Sequence, residues 1–190
     1  MTALAPRPVR HLYDDALATL IGWVAPDGDQ EALRRSFLAA LAADPNAVAK
    51  SGPPAHLTAS CLVLSPDHMQ VLLHLHGKAA MWMQFGGHLE VTDEGLRATA
   101  RREACEESGL TDLVLSADPI ELDRHLLGGA FGQCSEHLDV RFAAVADPGE
   151  PLQISDESTS LGWWPVAELP QPASPDLPRL IAAAQLALPR

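Results

Sequence analysis

Apolar residues recur at helical spacing near the start of the chain. Leu12, Leu17, Leu20 and Trp23 predict a helix over residues 11–25, ended by Asp27-Gly28. Gly28 or Asp29 then starts a second helix running to Ala43, with Leu33, Phe37, Leu38 and Leu41 on one face and Asp44-Pro45 as its stop. A Pro/Gly/Ser-rich link follows over 46–54. From there the pattern turns to strands. Leu57–Leu64 and Gln70–His76 flank Ser65-Pro66-Asp67 and predict a hairpin. Met81–Phe85 predicts a short third strand running into Gly86-Gly87, and residues 93–108 predict a helix with Gly109 as its C′ residue. Leu113–His125, His137–Val145 and Leu161–Trp164 predict three more strands, with a Gly-rich loop over 126–135 between the first two. Ser174-Pro175 predicts the start of a C-terminal helix, as a cap and first-turn proline. Strands on both sides of a central helix, closed by a terminal helix, predict a mixed α/β sandwich. The expected organisation is a helical segment over 1–54 packed on a main domain over 55–190.

Composition narrows the possibilities without naming a function. The 190 residues are 47% hydrophobic and 20% charged, as expected of one globular domain rather than a disordered chain. No apolar run approaches the roughly 18–20 residues of a spanning helix, and the first residues lack the apolar stretch of a signal peptide. A cytoplasmic protein with no membrane partner is expected. The net charge of −12 argues against non-specific nucleic-acid binding. It also means that an anionic substrate would have to be held through intervening cations. Cys61, Cys105 and Cys134 include no C-x-x-C pair, so neither a disulfide framework nor a zinc site is expected.

One segment carries candidate chemistry: Gly86-Gly87-His88-Leu89-Glu90, then Arg102-Glu103-Ala104-Cys105-Glu106-Glu107-Ser108-Gly109-Leu110. Residues three and four apart share a helix face, so Glu103, Glu106 and Glu107 project into one sector. Their repulsion costs a few tenths of a kcal/mol per exposed pair, and more when shielded from water. Glu106 and Glu107 also lie in the last turn, where the helix dipole disfavours negative charge. A solvated acidic face is one explanation. The other is a divalent cation, since hard Mg²⁺ prefers a few carboxylates plus water and substrate phosphate. A double glycine behind an apolar strand lets the backbone approach a ligand closely or take positive φ.

Gly87 to Leu110 resembles the Nudix box, G-x5-E-x7-R-E-U-x-E-E-x-G-U with U aliphatic, matching at Arg102, Glu103, Glu106, Glu107, Gly109 and Leu110. Leu161-Gly162-Trp163-Trp164-Pro165 is similar to a segment common in that family, and the resemblance covers about His56 to Leu169. It implies an α/β/α sandwich with a mixed sheet, here extended by N-terminal helices. It also implies water attack on a diphosphate linkage in a nucleoside diphosphate joined to another group. Mg²⁺, replaceable by Mn²⁺, would be the cofactor. The resemblance makes Glu103, Glu106, Glu107 and the Gly87 carbonyl metal ligands and Glu103 the general base. Arg102 would hold the loop to the helix through a carboxylate. One residue is inserted between Gly87 and Arg102, so either Asp93 or Glu94 fills the place of the first box glutamate. Asp156 and Glu157 are candidates for a further acidic residue that family members often add. The rivals are a silent nucleotide-binding module, against which all three glutamates count, and an isoprenoid diphosphate isomerase, for which neither Cys61 nor Cys134 has suitable surroundings.

Other residues have weaker claims. His88 either touches substrate or caps the glycine loop. His125 and His137 share strand faces with Asp123 and Asp139 and are expected to be satisfied sheet-face histidines. Trp163 and Trp164 alternate across their strand, one expected in the core and the other free to stack on a base. A homodimer through the N-terminal helices is open.

Overall fold

The computed structural model describes residues 7–127 and 134–189. Two helices, α1 (Arg7–Gly22) and α2 (Gly28–Ala43), lead through a 3₁₀ turn at Pro45–Val48 into the sheet. The strands are β1 (Ala55–Leu64), β2 (Gln70–His76), β3 (Met81–Met83), β4 (Phe85–His88), β5 (Glu121–Leu126), β6 (Glu136–Val145) and β7 (Ser158–Pro165). Helix α3 (Leu96–Ser108) follows β4, and α4 (Leu177–Ala187) ends the chain. The predicted Gly-rich loop falls largely on residues 128–133, outside the described residues.

The sheet is mixed. β6 runs parallel to β1 along its whole length, and β5 pairs antiparallel on the outer edge of β6. On its other edge β1 meets two different strands. Thr58–Cys61 pair with β4, whereas Val63 and Leu64 pair with β2. β2 in turn leaves β1 for β3 at His74–His76 and carries β7 on its other side. Met81–Phe85, predicted as one strand, is therefore cut at Gln84, where the chain changes partner from β2 to β1. The sheet forks there, and the candidate site lies in the fork.

Alternation along the strands builds two apolar layers. Leu57, Ala59, Cys61, Val63, Leu138, Val140 and Phe142 face one way and bury against α1, α2 and α3 through Leu12, Leu20, Phe37, Leu41, Leu96 and Ala104. Leu62, Leu64, Leu73 and Ala143 face the other way under Leu177, Leu180 and Ile181 of α4. α4 covers only the apolar end of that second face. Toward the start of β1 and β6 the same face carries His56, Thr58, Ser60, His137, Asp139 and Arg141.

The boundaries that differ from the sequence reading have identifiable causes. α3 starts at Leu96 rather than Asp93, because the Asp93 carboxylate ties the loop to the helix: it accepts from the Glu90 N–H at 2.8 Å and the Thr99 hydroxyl of α3 at 2.8 Å. The cap on α3 comes from another helix, through Asp15 of α1, which accepts from Leu96 N–H at 2.8 Å. Leu113–His125 does not form one strand. Only Glu121–Leu126 pairs, and Leu115 makes an isolated bridge to Ala144. The carbonyls of Thr111, Leu113, Leu115 and Ser116 accept instead from the guanidiniums of Arg97 and Arg101. α4 starts at Leu177 after Asp176, not at Ser174, whose hydroxyl donates to the Asp176 carboxylate. Gly109 ends α3 in the left-handed region at φ 79, as expected of a C′ glycine.

Candidate active site

Gly86 is required by crowding against β1, and Gly87 leaves the space that the Glu103 carboxylate occupies. A first side-chain carbon at residue 86 would lie 2.4 Å from Ser60 Cβ, and one at residue 87 would lie 2.5 Å from Glu103 Oε1. The explanation is close approach rather than positive φ. Glu103 is thereby laid directly against the glycine segment. On α3 the three glutamates occupy graded environments. Glu107 is buried and accepts from Gly86 N–H at 3.0 Å. Glu103 is mostly buried, and Glu106 is exposed, reached by Arg102 at 3.2 Å.

Arg102 organises the loop around this cluster. Its guanidinium donates to both oxygens of Asp93 at 2.8 and 3.0 Å, to Glu103 Oε1 at 2.9 Å and to the His88 carbonyl at 2.9 Å. Asp93 is buried, whereas Glu94 is exposed. Of the two candidates, Asp93 is therefore the one that meets the arginine. α1 supports the same loop a second time, since His11 Nε2 donates to the Asp93 carbonyl at 2.8 Å.

Burial and mutual repulsion load the carboxylates. Burial raises Glu103 above the ordinary glutamate value, with Arg102 acting against it. Glu107 is pushed up to about 8, first by burial and then by Glu103, Glu157 and Glu106, with the Gly86 N–H opposing. His74 Nδ1 lies 3.6 Å from Glu107, which has the distance of an ion pair, but burial lowers His74 to about 4. Its hydrogen bond goes to Ser158 Oγ at 2.6 Å, so we take it as a neutral imidazole beside the acid rather than a counter-charge.

A cavity of about 590 Å³ opens beside Glu103, which lines it, whereas Glu106 and Glu107 do not. Gly86, Gly87, Glu103 and Glu157 line it together with the cations Lys50 and Lys78. Glu157 comes into the electrostatic reach of Glu103 and Glu107, while Asp156 does not line the cavity.

A family model for the NUDIX domain matches residues 54–184. The chain belongs to the NUDIX family. Among solved structures, a NUDIX-family hydrolase from Clostridium perfringens is 27% identical, covers 69% of this chain and 97% of its own, and superposes with a TM-score of 0.55. The NUDIX domain of Shewanella oneidensis NrtR, complexed with ADP ribose, is 23% identical over 78% of this chain and 96% of its own, at a TM-score of 0.57. An Ap4A hydrolase binary complex from C. elegans is 15% identical over 68% and 95%, at 0.55. Comparison with curated protein sequences finds no match.

Around the Nudix helix, several residues lie where the sequence did not put them. Asp15 and His11, read only as part of a lead-in helix, brace the Nudix loop. Nothing in local spacing signals a cap supplied from 81 residues away. Trp163 packs against the α1–α3 layer and Trp164 against the α4 layer, and neither lines the cavity, so the base-stacking expectation has no support. His125 is satisfied, with Nδ1 3.0 Å from Asp123. His137 is not: its Nε2 is buried without a partner. His88 lines the cavity and packs against His56 and His137.

Proposed function

We propose that the chain is a divalent-metal-dependent pyrophosphohydrolase acting on a nucleoside diphosphate linked to another group. One observation carries this reading: Glu103, tied to Arg102, lies against Gly87 at the cavity wall, with Glu107 on the Gly86 N–H and exposed Glu106 sharing Arg102 with it. The donor set fits a hard cation. It consists of oxygen acids held close despite burial that raises Glu103 and Glu107, an arrangement that a divalent ion would relieve. Glu103, Glu106, Glu107 and the Gly87 carbonyl would hold Mg²⁺ or Mn²⁺. When bound, the ion would neutralise diphosphate charge and lower the pKa of a coordinated water.

The remaining work falls to the chain's own groups. Glu103 accepts the proton of the attacking water, and the Arg102 guanidinium at 2.9 Å keeps it oriented and counters the effect of burial. Asp93 fixes Arg102 in turn. Lys50 and Lys78 give the cavity positive charge in a chain of net charge −12, in place to meet substrate phosphates. The S. oneidensis domain was solved with ADP ribose, but at 23% identity that likeness carries a fold and not a substrate.

The test is a panel of nucleoside diphosphate derivatives with Mg²⁺ and then Mn²⁺, scored for released phosphates, beside Glu106→Gln. Metal-dependent turnover that the variant loses by about 10²-fold or more supports the proposal. Metal-independent nucleotide binding with no turnover across the panel replaces it with a binding module.

A further inference from the structure

Three strands bring three histidines and a cysteine to one point at the floor of the cavity. His56 and His137 are register partners across the parallel β1–β6 pair, and His88 is paired to Thr58 on the other edge of β1. Residues two apart share a strand face, so His56, His88 and His137 converge on the same side of the sheet. Cys134 precedes β6 by two residues and completes the group. One ligand atom from each of the four lies within 4.8 Å of every other. His88 Nε2 is 3.1 Å from His56 Nε2 and 3.9 Å from Cys134 Sγ.

Hydrogen bonding orients His56 as a ligand would be oriented. His56 Nδ1 lies 2.8 Å from the Pro53 carbonyl, which can only accept, so Nδ1 carries the proton and Nε2 presents its lone pair to the cluster. A carbonyl bond on the distal nitrogen is the usual way a metal-binding imidazole is oriented. His137 Nε2 is buried with no partner, a state that costs about 1–3 kcal/mol unless something else meets it.

We propose that His56, His88, Cys134 and His137 form a second metal site, distinct from the glutamate cluster, that holds one Zn²⁺ ion in a closed tetrahedral His₃Cys set. Bond lengths of about 2.0–2.1 Å to nitrogen and about 2.3 Å to sulfur give tetrahedral edges of roughly 3.3–3.6 Å. Small side-chain shifts bring the present separations to those values. Imidazole and thiolate select zinc over magnesium, whereas the carboxylates of α3 select the reverse. Four protein ligands leave no open position, so the role is structural. The ion would tie β1, β4 and β6 together and, through His88, fix the position of Gly87 against Glu103. The local spacing of the cysteines could not show this site, because its ligands come from separate strands.

Cobalt substitution tests the proposal independently of the hydrolase reading. Chelator-treated protein is titrated with Co²⁺ in excess Mg²⁺. One equivalent should give the intense visible bands of four-coordinate cobalt and a near-ultraviolet thiolate-to-cobalt band, both bleached by Zn²⁺. Glu106→Gln should leave these bands unchanged. Cys134→Ser should lose the thiolate band with its circular dichroism intact, and His137→Gln should weaken metal affinity by more than the about 10–100-fold that an outer-shell loss costs. In unmutated protein, Zn²⁺ should slow alkylation of Cys134 by about tenfold or more, a readout that does not depend on a variant folding. Absence of a thiolate band in the unmutated protein, its persistence in Cys134→Ser, or alkylation of Cys134 unaffected by Zn²⁺ overturns the assignment.

Discussion

Asp93→Ala should destabilise the protein far more than Glu94→Ala, although the two residues are adjacent and both acidic. Asp93 takes two bonds from Arg102, at 2.8 and 3.0 Å, along with the Glu90 N–H and the Thr99 hydroxyl. Removing one partner of a buried ion pair costs about 3–5 kcal/mol, because the other charge is stranded. Here Arg102 is 19% exposed and keeps Glu103 and the His88 carbonyl, which lowers the expectation to about 2–3 kcal/mol. For a chain of this size that is a fall in Tm of roughly 4–12 °C by calorimetry. Exposed Glu94 should cost no more than about 0.5 kcal/mol. The difference should depend on pH. Burial alone would raise Asp93, but Arg102 and the two other donors hold it below the usual 3.8. An acid with a depressed folded pKa stabilises the fold above its unfolded value, and that contribution disappears as pH falls through the folded one. The penalty in Asp93→Ala should thus be full at neutral pH and shrink below about pH 4. Equal losses in the two variants, or a pH-independent penalty, would refute the assignment of Asp93 to the arginine.

Asp15→Ala removes the cap of α3 and should cost about 1 kcal/mol in denaturant unfolding, with activity falling as the helix start loosens; an unchanged midpoint would mean that the cap contributes nothing. Arg141 is buried among Glu121, Asp123, Asp139 and Asp176, so Arg141→Met strands several carboxylates and should lose about 3–5 kcal/mol or fail to fold, as read by chemical denaturation. Glu107 is raised to about 8, so its ionised form is disfavoured in the fold. Without metal, stability should fall as pH rises from the ordinary 4.5 toward that value, and Glu107→Gln should flatten the slope. A flat profile in the unmutated, chelated protein would show that Glu107 is not so strained.

The sequence alone carried the elements whose signals are local. Helical spacing placed α2, and the alternation and turn residues placed β1, β2 and their hairpin. The spacing of Arg102, Glu103, Glu106 and Glu107 put an arginine and three carboxylates together on one helix, because positions three and four apart must share a face in any fold. What it could not carry were decisions made between distant segments. Leu113 to Pro119 has the residues of a strand but gives its carbonyls to two arginines of α3. Met81–Phe85 has the residues of one strand, yet it is divided because β1 and β2 diverge and each takes half of it. The choice of Asp93 over Glu94 depended on where the loop carries each carboxylate, and the gathering of His56, His88, Cys134 and His137 depended on strand register. Periodicity fixes which face a residue occupies along its own element. Only packing fixes which other face it meets.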